Sequence, residues 1–583
     1  MTDVTNEADL QACYLDATDD YTVTQDITIT ADFRPYAIIN YSGTFDGNDK
    51  TLINFQLIST ANEYGFCRQI TTTGEVKNLK FSNVAISGNF NYIGVVCGKG
   101  LGTATKITNC EILGGSVTGS KYVGGIIGGG TGTFSYCENA ATITYSAAIA
   151  GGIIGFSTIA DCNISNCKNT GEIIGIGTQS VTGIGGIIGY AGGQTINITD
   201  CENSGTIKPA WGNSGGFVGY SAGSNTLTLL RCINSGNIEK NGRSNYTGGF
   251  VGRSERALSI TTCSNSGNVG TAIAPMPPCA GGFIGYSLSG AVTMDNCFNS
   301  GNVYASYWVG GIIGLSGGVD TITDCYNTGA ITATNASAGE QPVGGFIGYC
   351  SGNGSSYTNC YSTGTVTGTW ETGGFIGYIK NGSATITKCY ATGDVISNYF
   401  FGGFIGRCVV AGTIIDNCYA TGNVTKKTGG YMGGGFAGYI GSISRISRCY
   451  CTGNVVGASN YGGGFIAYFG SGTISDCYST GTVTGFSNNM GMFCGFNNAT
   501  ISNCGCLDGV ARDIASPAGN VDYSKSDVTE FYDKTEDVYD TGTYVWDFTA
   551  PAVWYEHTAA YPDFIEDLVL ESNAFFLGHF MIL

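Results

Sequence analysis

The chain has 583 residues and a formal net charge of −18, with 95 glycines, 24 cysteines, 9 prolines and only 12% charged residues. Low charge combined with 42% hydrophobic residues excludes a disordered chain, and glycine without an every-third-residue period excludes collagen. So much glycine also argues against a helical fold, and 25 scattered basic residues disfavour nucleic acid or an anionic membrane surface as partner.

The chain opens Met1-Thr2-Asp3-Val4, without the basic start and apolar core of a secretory signal. The expectation is either that a signal has been removed or that the protein is not exported by that route. No run of 18 apolar residues exists, so no helix is expected to span a membrane. Residues 1–75 do not repeat and include GTFDGNDKTL at 43–52, which reads as an N-terminal cap and lead-in segment.

A repeat begins at Val76. The first copy, VKNLKFSNVAISG, carries Leu79 where later copies carry cysteine. Cysteines then recur at 110, 137, 167, 201, 232, 263, 297, 325, 360, 389, 418, 449, 477 and 504, about every 30 residues. Their surroundings recur too, as in ITDCENSGTI at 198–207 and ISDCYSTGTV at 474–483. Between them lies a glycine block, such as GGFIG at 281–285 and 402–406. The short apolar runs suit strands and none has helical period. A unit this small cannot bury its own core, so units must stack. The predicted fold is all-β: a parallel β-helix (β-solenoid) of about 14–16 coils of ~30 residues, spanning 76–510, with N- and C-terminal caps.

Fixed columns support this reading. Ile or Val stands six residues after the cysteine (Ile207, Val303, Val483), and Ile usually stands three before it (Ile164, Ile322, Ile474). An offset of three breaks strand alternation and predicts a bend or bulge just before the cysteine. Glycine stands four after it (Gly205, Gly301, Gly422), where a turn with positive φ is expected. Residues 511–583 change composition, with Trp546 and Trp554 and no cysteine, and read as a C-terminal capping or attachment module.

These blocks resemble GLUG-repeat proteins, in which GGFIG matches the Gly-Leu-any-Gly block and CYSTGTV at 477–483 matches a companion motif. GTFDGNDKTL at 43–52 and WDFTAPAVWYEHTAAYPDF at 546–564 are similar to the usual start and end of such arrays. The resemblance implies a solenoid of surface or adhesin-like type and transfers no catalytic residue.

The cysteine column reads as buried thiols, with ladder disulfides as the alternative. The only histidines are His557 and His579, and there is no CxxC pair, so neither a metal nor a cofactor is expected. Single thiols suit folding in a reducing cytosol. Acids do not fall on adjacent coils just before the cysteine, where Asp200 is followed by Arg231. That argues against a polysaccharide lyase or glycosidase, which remains the enzymatic alternative. The position after the cysteine becomes Phe298 and then Tyr326, Tyr361, Tyr390, Tyr419, Tyr450 and Tyr478. By alternation it faces outward. The stripe is the candidate grip for a glycan or protein partner, and a self-stabilising aromatic ladder is the alternative. A second aromatic column follows the glycine block at Tyr190, Tyr220, Tyr286, Tyr349, Tyr378, Tyr439 and Tyr468. The functional expectation is a non-enzymatic rod on an extracellular surface, with a virion fibre, spike or shell component favoured and a cell-surface adhesin as alternative. Expected partners are other surface or capsid proteins, a host-surface glycan or receptor, or further copies of the chain.

Overall fold

Short strands separated by glycine leave each coil with unpaired backbone groups on both edges, and these are satisfied by the next coil. The computed structural model shows this for residues 1–507, except 34–36, 59–61, 103–104, 159, 178–182, 277, 336–338, 428, 430 and 458–459. Beyond 507 it describes only short strands at Arg512–Ser516, Tyr523–Lys525, Trp554–Tyr555 and Asp563–Phe564. The C-terminal module expected at 511–583 otherwise lies outside the described residues. The chain forms a β-solenoid of about 15 parallel stacked coils of ~30 residues, with 2% helix. It divides into two units, residues 1–337 with 345–352, and residues 338–344 with 353–583.

One coil of the first unit shows the plan. Val292–Asp295 and Phe298–Asn299 lie on one face, Val303–Ala305 on a second, and Val309–Gly310 with Ile313–Ser316 on a third. Each strand pairs in parallel with its equivalent one coil away: Met294 with Ile322, Phe298 with Tyr326, Val303 with Ile331, and Ile313 with Ile347. The second unit repeats it, with Ile386, Ile415, Ile446 and Ile474 in register. Parallel pairing already starts within residues 1–75, where Thr2 pairs with Tyr21 and Tyr21 with Phe45. This segment also holds the helix Glu7–Ala12, capped by the Asn6 side chain and burying Leu10.

The bend before the cysteine is where the sequence placed it. The residue just ahead of every ladder cysteine is left-handed, with φ of 48–57° from Asn109 to Asn503. Asp295 and Asn296 therefore both face solvent between buried Met294 and Cys297. The positive-φ turn expected at the glycine four residues after the cysteine is a different matter. These glycines lack a positive φ. They are required by close approach: a Cβ on Gly205 would overlap the carbonyl of Gly171, and one on Gly301 that of Gly267. The glycine block is packed as tightly. A Cβ on Gly282 would collide with the carbonyl of Gly311 and the side chain of Asn299.

Inside, like side chains form files. Phe217, Phe250 and Phe283 stack at 4.7 and 4.6 Å in the first unit. Phe375, Phe404, Phe436, Phe465 and Phe493 stack at 4.8–5.0 Å in the second. All 24 cysteines are buried and unbridged. In the ladder the backbone N–H of one cysteine donates to the sulfur of the next, as from Cys137 to Cys167 and from Cys263 to Cys297, both at 3.4 Å. Burial pushes the Cys110, Cys167 and Cys418 thiols well above their ordinary range, so they are protonated at neutral pH. Sequence reasoning missed one file. In the first unit Asn139, Asn169, Asn203, Asn234, Asn265, Asn299 and Asn327 are buried, each amide donating to the next side-chain oxygen at 2.7–2.8 Å. Each also donates to the carbonyl two residues on, for example Asn234 to Gly236 at 3.1 Å.

Two outcomes follow from this interior. Native protein mixed with a thiol reagent at pH 7.5 should label few of its 24 cysteines, and denatured protein all of them. Rapid native labelling of ladder positions, read by peptide mass, would contradict the buried column. Asn234→Ala should cost about 1–3 kcal/mol in chemical denaturation, because it strands both amide neighbours. A loss within error of zero would show that the amide file adds nothing.

Candidate functional site

The tyrosine column is set by alternation. Cys418 and Ala420 point in, so Tyr419 between them points out. Coils lie directly over one another, and the rings therefore stack face to face. Tyr361–Tyr390, Tyr390–Tyr419, Tyr419–Tyr450 and Tyr450–Tyr478 have centroids 4.6, 4.7, 4.9 and 5.0 Å apart and planes within 7°. In the first unit Phe298 and Tyr326 stack at 5.2 Å. Tyr326, Tyr361, Tyr390 and Tyr419 are half-buried, but Tyr450 and Tyr478 keep only 3% and 1% of their surface exposed. The accessible stripe is thus shorter than the sequence suggested. Both faces of Tyr390, Tyr419 and Tyr450 are occupied by neighbouring rings, which leaves edges outward. Such a row can hydrogen-bond a partner but offers no free face for a sugar ring to stack on. The geometry is that of a self-stacking ladder.

The column after the glycine block is interrupted once in each unit by arginine, which sequence reasoning did not place there. Arg253 takes the rung between Tyr220 and Tyr286 and lies 5.4 and 5.8 Å from their ring centres. Arg407 lies 4.8 Å from Tyr378 and 5.3 Å from Tyr439. A planar cation over ring faces fills a rung of a π stack, and the signal was its position three residues after the Phe of the glycine block, where other coils carry Tyr. Arg253 pairs with Glu255 at 2.6 Å, and Arg407 with Glu371 at 3.3 Å. Burial raises the Glu371 carboxyl above its ordinary range, against the pull of Arg407.

Outside the cysteine file runs the mixed polar column that the sequence indicated. Asp200 and Arg231 form a bidentate pair with both bonds at 2.7 Å. Asn109 donates to Asn78 at 2.9 Å, and Arg448 pairs with Asp416. The buried Arg256 guanidinium donates to the carbonyls of Ala222 at 2.7 Å, Gln194 at 3.2 Å and Gly193, clamping three corners of the first unit. Among the described residues no cluster of His, Cys, Asp or Glu is arranged to hold a metal. His557 and His579 lie outside them.

Residues 368–396, which carry the Gly-Gly-Phe-Ile-Gly bend, Cys389 and Tyr390 of one coil, match the family profile described as the GLUG motif. The β-solenoid thus carries a GLUG motif in one of its coils. Over 136 residues, 21% of this chain, it is 32% identical to halomucin of Haloquadratum walsbyi. The chain spans only 1% of that relative's length. A solved chain from Bacteroides ovatus, described as a candidate immunoglobulin A1 protease, shares 14% identity over 58% of this chain and 79% of its own. Its TM-score of 0.26 gives that likeness no weight.

If the ladder of tyrosines is a stabilising spine, Tyr419→Ala should lower stability by roughly 1–3 kcal/mol through two lost ring contacts. Tyr419→Phe should stay within about 0.5 kcal/mol. Denaturation of the full chain distinguishes them, and an equal loss in both would assign the effect to the hydroxyl.

Proposed function

We propose that this protein is a non-enzymatic structural and attachment protein, a stiff β-solenoid displayed on a surface, with residues 1–75 closing its first coils. The observation that carries the reading is the use made of the recurring residues. In each unit Ile, Cys, Phe and Gly serve in-register files, and the outward tyrosines stack on themselves. An interior built this way supports length and stiffness. The similarity to a stretch of a protein named halomucin supports a surface placement. The acid columns speak against a polysaccharide-degrading reading, since Asp200 and Asp416 are each tied to an arginine. The buried, unbridged thiols favour folding in a reducing compartment before assembly, which suits a virion fibre, spike or shell component.

Immunogold labelling of purified particles and of cell envelopes tests this. Label on the particle exterior is the expected result. Label confined to envelopes would replace the virion by a cell surface, and label confined to soluble cytosol would reject surface display altogether.

A further inference from the structure

The second unit carries an aromatic and basic ridge that the tyrosine stripe does not include. It lies where the second face turns into the third, on the corners that precede the glycine block. Trp370, Tyr399 and Tyr431 hold the same corner position on three successive coils, and Tyr461 of the next coil stands one residue further on, opening the strand Tyr461–Gly463 in register with Met432. Tyr431 N donates to Asn398 O at 2.7 Å, and Tyr461 N to Tyr431 O at 3.1 Å, which fixes these corners one above another. Trp370 and Tyr399 stack at 4.0 Å. Tyr399 and Tyr431 are each 38% exposed.

Ring orientation separates this ridge from the ladders. Tyr461 stands at 86° to Tyr468 and 80° to Phe496, which themselves stack at 4.7 Å. Its plane therefore runs along the stack. Tyr431 stands at 90° to Phe400. Tyr431 and Tyr461 are thus edge-on to their neighbours, whereas Tyr399 gives one face to Trp370 and keeps the other.

Charge gives the ridge its second property. Lys426 pairs in register with Ser397, and Lys427 N donates to Ser397 O at 2.7 Å, so both lysines sit beside the corner bearing Asn398 and Tyr399. Neither lysine forms an ion pair among the described residues, whereas the acids Glu371 and Asp416 of this unit are held by Arg407 and Arg448. Two unneutralised cations next to turned aromatic rings, on a chain of net charge −18, make a local site for an anion with an apolar face. Pyranose rings bearing carboxylate or sulfate have both features: C–H faces that lie on aromatic rings and an acid group for the ammonium. The coil spacing of ~4.8 Å is of the order of one sugar residue in an extended chain.

We propose that this ridge binds an acidic polysaccharide laid along the stack, with Tyr399, Tyr431 and Tyr461 as ring platforms and Lys426 and Lys427 as anion contacts. The proposal does not depend on where the protein is displayed.

Isothermal titration of the purified full chain tests it, with polygalacturonate as carboxylated probe, dextran sulfate as sulfated probe and dextran as neutral control. The expected result is salt-sensitive binding of at least one acidic polymer and none of dextran. Tyr431→Ala with Tyr461→Ala, and separately Lys426→Gln with Lys427→Gln, should each weaken it at least tenfold at unchanged thermal midpoint. Binding should also change the tryptophan emission of the wild-type chain, and Trp370→Phe should abolish that change, which keeps the test valid if a ring variant misfolds. Failure to bind either acidic polymer, equal binding of dextran, or a wild-type emission unmoved by bound polymer would overturn the proposal. So would a loss confined to the lysine variant, since that marks general attraction for polyanions.

Discussion

Parallel register between consecutive coils is the constraint on which everything else rests. When Ile198 lies over Leu229 and Leu229 over Ile260, every outward or inward position becomes a vertical file. A file of identical groups at strand spacing is favourable only for chemistry that pairs with itself. Apolar side chains, flat rings, amides and thiols meet that condition, and like charges do not. This accounts for the low charge of the sequence and for the alternation of Asp with Arg in the polar column, as at Asp200 and Arg231.

Much of this was legible because the repeat writes the register into the text. Cysteine spacing gave the coil, the offset of three between Ile and Cys gave the bend, and alternation gave the outward side of Tyr419. What was not legible concerns third dimensions of packing. Gly205 looks like a turn residue in Asn-Ser-Gly, yet the αL position is Asp200, five residues earlier, and the glycine answers to the carbonyl of Gly171. The local text cannot distinguish a backbone that must twist from one that must be approached. The Asn234 file was equally hidden, because asparagine near a turn has a local explanation that needs no neighbour. The burial of Tyr450 and Tyr478 has no signature in their own coils, which read like those of Tyr390 and Tyr419.

The two aromatic systems of the second unit show how the same residue type takes opposite roles. Tyr390 is locked between Tyr361 and Tyr419 and its faces are spent. Tyr461, the first residue of its strand, stands edge-on to Tyr468 instead of stacking on it. A count of tyrosines therefore cannot separate rings that stack from rings that stand across the stack.

The left-handed residue before each cysteine carries a further consequence. Along that file stand Asn, Asp, Arg, Thr, Tyr and Lys, all in one backbone conformation and, apart from the buried Asn417, all reaching solvent. Hydrogen bonds of the surrounding coils impose the kink whatever side chain it bears. Evolution can therefore rewrite this seam letter by letter, changing the electrical pattern along the molecule's flank while the scaffold beneath stays the same.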